Sequence, residues 1–226
     1  MRAMGTATIG ENIARLRAQI PPDVQLLAAA KGHGPREIME AIKAGVAMVG
    51  ENYVQEAQSA YKALGRLASW HLIGHLQKNK VRRAVGIFDM IETVDSLALA
   101  ERIDEECARI GREMPILIEV NSAREEQKSG AVPDAVEGLI RRIVPLSRLR
   151  VEGLMTMGPV SDDPEALRPA FAETRELFDR LARLRLPRVR MRILSMGMSA
   201  SYRVAIEEGA TLVRIGTSIF GERNDD

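Results

Sequence analysis

The chain has 226 residues, 46% of them hydrophobic, enough to bury a sizeable core, and a single domain over residues 1–226 is expected. With 32 Lys and Arg against 31 Asp and Glu, the formal charge is +1, so no global field would draw the chain onto nucleic acid or an anionic membrane, and small partners are expected. The lone Cys107 can form no internal disulfide, and neither a secretory signal nor a long apolar span is visible, which suits the cytoplasm.

An opening helix around ENIARLRAQI stops at Pro21-Pro22, and short apolar runs, each followed by a helical pattern, then recur to the end. The runs that predict strands are VQLLAAA, AMVG, HLIG, FDMIETV, PILIEV, RVEGLM, MRILS and TLVRI. Helices are predicted over PREIMEAIKAG, with Pro35 at its start and Gly45 at its end, over SLALAERIDEECARIG, ending at Gly111, and over PEALRPAFAETRELFDRLARL. Cys107 falls inside the second of these and reads as a packing residue. Strands alternating with helices imply right-handed parallel crossovers, and eight such units suit a closed barrel, which typically takes roughly 250 residues. The expected fold class is α/β, a single (β/α)8 TIM barrel with an extra N-terminal helix; a doubly wound open sheet is the alternative.

The unusual residues support the barrel. Lys31, Glu51-Asn52, Gly74-His75, Thr93, Asn121, Thr156, Ser195 and Arg214-Gly216 all fall at or just past strand C-terminal ends, the active face of such a fold. A lysine ending a buried strand would lose hydration to neighbours such as Ala28 and Ala30, which favours the free amine and so a Schiff base with a carbonyl substrate or cofactor. At the other end of the chain, RILSMGMSASY and TLVRIGTSIFG are glycine-containing turns after the last two strands. Backbone N–H groups there can converge on a phosphate, with a helix expected to begin near Ser199. The basic stretch RLARLRLPRVRMR reads as an amphipathic helix end broken by Pro187, not a nucleic-acid contact. Trp70 reads as core and His71 as barrel interior, with no third partner to suggest a metal site.

Seven segments, AAAKGHGP, GENYVQEA, WHLIGHLQKNK, NSAREEQKSG, VEGLMTMGP, LSMGMSASY and GATLVRIGTSIFG, together resemble the pyridoxal phosphate homeostasis protein family in order and spacing. The resemblance runs nearly the whole chain, and the family's fold matches the barrel domain of bacterial alanine racemase. It implies that the cofactor is pyridoxal 5'-phosphate (PLP), carried as a Schiff base on Lys31. It also implies that Asn52 lies near the pyridoxal ring and that Arg214 faces the pyridine nitrogen. The phosphate falls to Ser195, Gly197 and Ser199 of the first turn and to Gly216 and Thr217 of the second, in agreement with the turn argument.

A guanidinium stays protonated and cannot hand a proton to a ring nitrogen, which disfavours chemistry needing a strong electron sink. Barrel alanine racemases also use a tyrosine from a second domain, for which few residues remain after Thr217. The resemblance therefore implies a monomeric PLP carrier acting in intracellular vitamin B6 homeostasis, with PLP-dependent apo-enzymes as recipients and no efficient racemase turnover. A Schiff-base lyase, an amino-acid racemase and an interaction module are the competing readings. Two departures stand out: Gly32-His33 where many members carry a second lysine, and His75 where many carry a proline. Histidines there would make cofactor release pH-sensitive.

Overall fold

In the computed structural model, which describes residues 7–125, 127–159, 161 and 163–221, every run expected to be a strand overlaps one, the third by two residues only, since β3 begins before HLIG. The strands are β1 (Gln25–Ala29), β2 (Met48–Glu51), β3 (Ser69–Leu72), β4 (Met90–Val94), β5 (Met114–Glu119), β6 (Leu149–Met155), β7 (Val189–Ser195) and β8 (Leu212–Ile215). They pair in parallel in sequence order, and β8 returns to β1 through Leu27 opposite Arg214, so the sheet closes into a barrel. Closure, not an open doubly wound sheet, is the outcome.

The first helix, α1 (Ile9–Arg17), precedes the barrel and is held at its start by a reciprocal capping box between Thr8 and Glu11. The crossover helices are α2 (Pro35–Lys43), α3 (Val54–Leu64), α4 (Val81–Ile87), α5 (Leu97–Arg109), α6 (Pro133–Ile143) and α7 (Arg168–Arg183). Two short ones follow the last strands, α8 (Tyr202–Glu207) and α9 (Thr217–Phe220). The predicted helix from Pro164 divides into a 3-10 turn over Pro164–Leu167 and then α7, and Pro169 is tolerated because it falls in the first turn, where no helical N–H is needed.

Two cores follow from the alternation of strand side chains. Outward residues such as Ala28, Val49, Trp70, Leu72, Ile116 and Val213 meet the apolar helix faces, which contribute Ile38, Ile103, Cys107, Ile140 and Phe171 among others. Each fully buried large side chain there contributes about 1.5–3 kcal/mol. Cys107 is a packing residue as expected, and burial pushes its thiol up to about 11. Inward residues form smaller clusters, Leu27 with Ile73 and Leu212, and Met90 with Leu117 and Met155. Two arginines of the basic stretch pair within the molecule: Arg188 bonds Glu113 and Arg192 bonds Glu152.

Candidate functional site

Beside the apolar clusters the barrel interior turns polar: the inward positions one step beyond Met90 on β4, Ile193 on β7 and Leu212 on β8 are Glu92, Ser195 and Arg214, and on β3 His71 points inward one step before Ile73. All four are buried and joined in one chain of hydrogen bonds. Glu92 takes the His71 Nδ1 at 2.7 Å on one oxygen and the Ser195 hydroxyl at 2.6 Å on the other. The Arg214 guanidinium donates to Ser195 Oγ at 2.7 Å and to the Thr156 carbonyl at 2.9 Å. Burial alone would raise the Glu92 pKa, but the bond and charge of His71, the charge of Arg214 and the Ser195 bond outweigh it and hold the carboxyl below its usual range. Burial lowers the guanidinium from its ordinary value, opposed by the charges of Glu92 and Glu119, and arginine remains protonated.

The mouth opens over this network as a cavity of about 640 Å³. Lys31, Asn52, Ser199, Arg214, Gly216 and Thr217 all line it, so six of the eight candidate residues meet in one space. Asn52 is set there by Gly74, where a Cβ would fall 2.3 Å from the Asn52 carbonyl oxygen. The two turns are tied together by the Ser218 N–H, which donates to Ser199 Oγ at 3.2 Å. His33 shares the cavity wall, stacked on Phe220 with ring centroids 4.5 Å apart and bonded to Glu37 at 2.9 Å.

Two expectations, on Lys31 and on the helix start, are corrected, and two candidate residues stand outside the cavity lining. Lys31 lies two residues past β1 and is exposed at the rim, since Ala28 and Ala30 pack outward against the helices and do not enclose it. Ser195 does not line the cavity; its hydroxyl is fully buried and committed to Glu92 and Arg214. The helix after the first turn starts at Tyr202, not near Ser199, and has only 6 residues, so the turn itself presents the backbone. Gly197 is likewise absent from the lining and acts by conformation: its φ is 89°, and a Cβ would sit 2.5 Å from that of Ala205.

A second cavity of about 510 Å³ adjoins the first and shares Asn52, Ile73, Met157, Met198 and Ala200 with it. Glu119, Asn121, Ser122 and Lys128 line its floor and side, and His75 stands at its edge, 3.3 Å from Ser129 Oγ. Burial, then the charge of Asp95, pushes the Glu119 carboxyl up to about 7 against the opposing charge of Arg214. Sequence reasoning missed Glu92 and Glu119. The available signal was an acid at an inward position of an otherwise apolar run, in FDMIETV and PILIEV.

The chain matches the family "Alanine racemase, N-terminal domain" over residues 6–224. It is 41% identical over 226 residues to the pyridoxal phosphate homeostasis protein of Aquifex aeolicus, covering 98% of this chain and 92% of that one. The solved structure of PipY from Synechococcus elongatus with PLP bound superposes with a TM-score of 0.87 at 38% identity, over 95% of this chain and 100% of that one. An alanine racemase of Clostridium difficile shares the fold, with a TM-score of 0.82 at 18% identity, over 97% of this chain and 58% of that one. A barrel with this ordered set of mouth residues, matched end to end by such relatives, belongs to the pyridoxal phosphate homeostasis protein family.

Proposed function

We propose that this chain binds PLP covalently through the Lys31 Nζ and serves intracellular PLP homeostasis as a carrier, without efficient racemase turnover. The observation that carries the reading is the single cavity in which a lysine, a buried guanidinium and two hydroxyl-bearing turns converge. That donor set fits PLP: an amine for its aldehyde, a fixed cation for its ring and N–H and O–H groups for its phosphate. The PLP-bound PipY relative supports the same reading. When bound, the cofactor supplies an aldehyde carbon open to attack by a primary amine.

In this proposal Lys31, exposed at the rim, is reachable by incoming cofactor and by a competing amine, which suits loading and release. Asn52 flanks the ring. Arg214 keeps its own protons and, braced by Ser195 and Glu92, holds the ring nitrogen without protonating it. Ser199, Gly216 and Thr217 take the phosphate, with Gly197 shaping the first turn and Ser195 acting behind Arg214. A racemase needs an acid or base on the far face, and among the described residues the tyrosines are elsewhere. Tyr202 donates to Gln19 at 2.6 Å, Tyr61 packs edge-on to Trp70 and Tyr53 is 55% exposed at the start of α3. Among the described residues no helix is long and apolar enough to cross a membrane. We place the protein in the cytoplasm as a monomer of one domain, with PLP-dependent apo-enzymes as recipients.

The test is the absorption spectrum of protein with added PLP, before and after borohydride, for wild type and Lys31→Ala, with peptide mapping of the reduced adduct. A yellow species that maps to Lys31 and vanishes in the variant is expected. Labelling scattered over surface lysines, or alanine racemisation at enzymatic rates, would overturn the proposal.

A further inference from the structure

We propose that the second cavity, beside the Lys31 site, binds a small primary ammonium compound through the carboxyl group of Glu119. The register of β5 directs it there. Leu117 packs inside the barrel against Met90 and Met155, so Glu119, two residues on, also points inward, at the level of the mouth. The residue is 9% exposed, it lines the cavity, and its Oε2 has no hydrogen-bond partner among the described residues. A buried acceptor left in that state is costly, and a ligand that supplies a donor relieves it.

The neighbouring groups decide what kind of donor is missing. Arg214, whose charge acts on Glu119, spends its bonds on Ser195 and Thr156. Lys128 is engaged by Glu125 at 2.7 Å and by the Gly158 carbonyl at 3.4 Å. Asn121 gives its amide N–H to the Glu125 carbonyl, and Ser122 is paired with Thr156. Asp95 adds negative charge to the surroundings of Glu119. A neutral donor would fill the hydrogen bond and leave the charge, whereas an ammonium group supplies both. Ile73, Val120, Met157 and Leu167 give the wall an apolar part that suits a short aliphatic body, beside polar groups such as Asn52 and Gln127. Lys128 and His75, on the cavity's polar side, are in place to meet a carboxylate if the ligand is an amino acid.

The biological sense of such a site, an amine held next to the lysine that carries the cofactor, rests on the proposed PLP reading, but binding itself does not need the cofactor. The experiment is calorimetric titration of ethylamine and, separately, glycine into the PLP-free protein at about pH 6 and pH 8, for wild type, Glu119→Gln and Glu119→Asp. With the carboxyl raised to about 7, its ionised fraction rises about tenfold across that interval, so wild-type affinity for ethylamine rises by about the same factor. Glu119→Gln loses most of the affinity and the pH dependence, and Glu119→Asp keeps the pH dependence with weaker binding. All three still take up PLP at Lys31 by the spectral test, so failure here and failure of the cofactor reading are read separately. Tighter binding of glycine than ethylamine would assign the ligand to amino acids, and the reverse to simple amines. Absence of wild-type binding to either probe, or equal affinity in Glu119→Gln, would overturn the proposal.

Discussion

Glu51 closes β2 at 1% exposure, and one of its oxygens has no hydrogen-bond partner among the described residues. Burial first, and then the charge of Glu56, pushes its carboxyl from 4.5 up to about 8. Glu56 in turn receives the N–H of Gly32 at 3.2 Å, so this pair of acids sits under the loop that carries Lys31. Because the folded pKa is raised, the native state keeps a proton that the unfolded chain releases between those two values. Stability from this group is therefore present at low pH and is lost as pH rises towards about 8. Each unit is worth about 1.36 kcal/mol, so integrating from about pH 5 to pH 8.5 gives at most about 4 kcal/mol. Relaxation and water entry reduce that, and about 2–4 kcal/mol is expected. Replacing Glu51 by Gln removes the titration and keeps the shape. Urea unfolding at both pH values, for wild type and Glu51→Gln, measures the difference in pH dependence. The contribution of Glu119, whose pKa is also raised, is common to both proteins. Parallel loss of stability in the two would refute the reasoning.

Glu92→Ala leaves His71 and Ser195 without their shared acceptor and the Arg214 guanidinium without a counter-charge in a fully buried site, so urea denaturation is expected to show a loss of about 3–5 kcal/mol, with Glu92→Gln losing less. As the Glu92 pKa is lowered, its contribution to wild-type stability is present above the unfolded value of about 4.3 and fades as pH falls below it, which an acid titration of Tm checks. Gly197→Ala combines a left-handed φ of 89° with a Cβ 2.5 Å from Ala205. Strain of about 1–2 kcal/mol and overpacking of about 1–3 kcal/mol together predict a Tm lower by roughly 5–15 °C in scanning calorimetry, with weaker PLP retention.

The barrel mouth joins a buried, hydrogen-bonded base to exposed rims. Its base is the hydrogen-bonded chain from His71 to Arg214, where every group has a partner and a low dielectric strengthens each bond. Its rims are the Lys31 loop, the two glycine turns and the exposed side chains of Met157 and Met198, which stand between the two cavities. In the proposed function, the base orients the ring while the rims admit and release the cofactor.

Alternating strand and helix patterns, with Pro35 and Gly45 bracketing α2 and short apolar runs between, were enough to determine eight βα units in order, because local periodicity and chain punctuation act within a few residues. The order of the seven segments likewise carried the family, and with it Lys31, Asn52, Ser199, Arg214, Gly216 and Thr217 as neighbours in one cavity. What one residue does inside that arrangement depended on register and closure, which no local pattern contains. Ser195 ends a strand just as Lys31 follows one, yet inward register buries its hydroxyl between Glu92 and Arg214, while Lys31, two residues beyond its strand, escapes to the rim. Glu92 and Glu119 looked like interruptions of apolar runs. Only closing the sheet, which brings β4 and β5 within reach of β7 and β8 across the barrel, turned them into the acid that braces Arg214 and the acid that faces the second cavity.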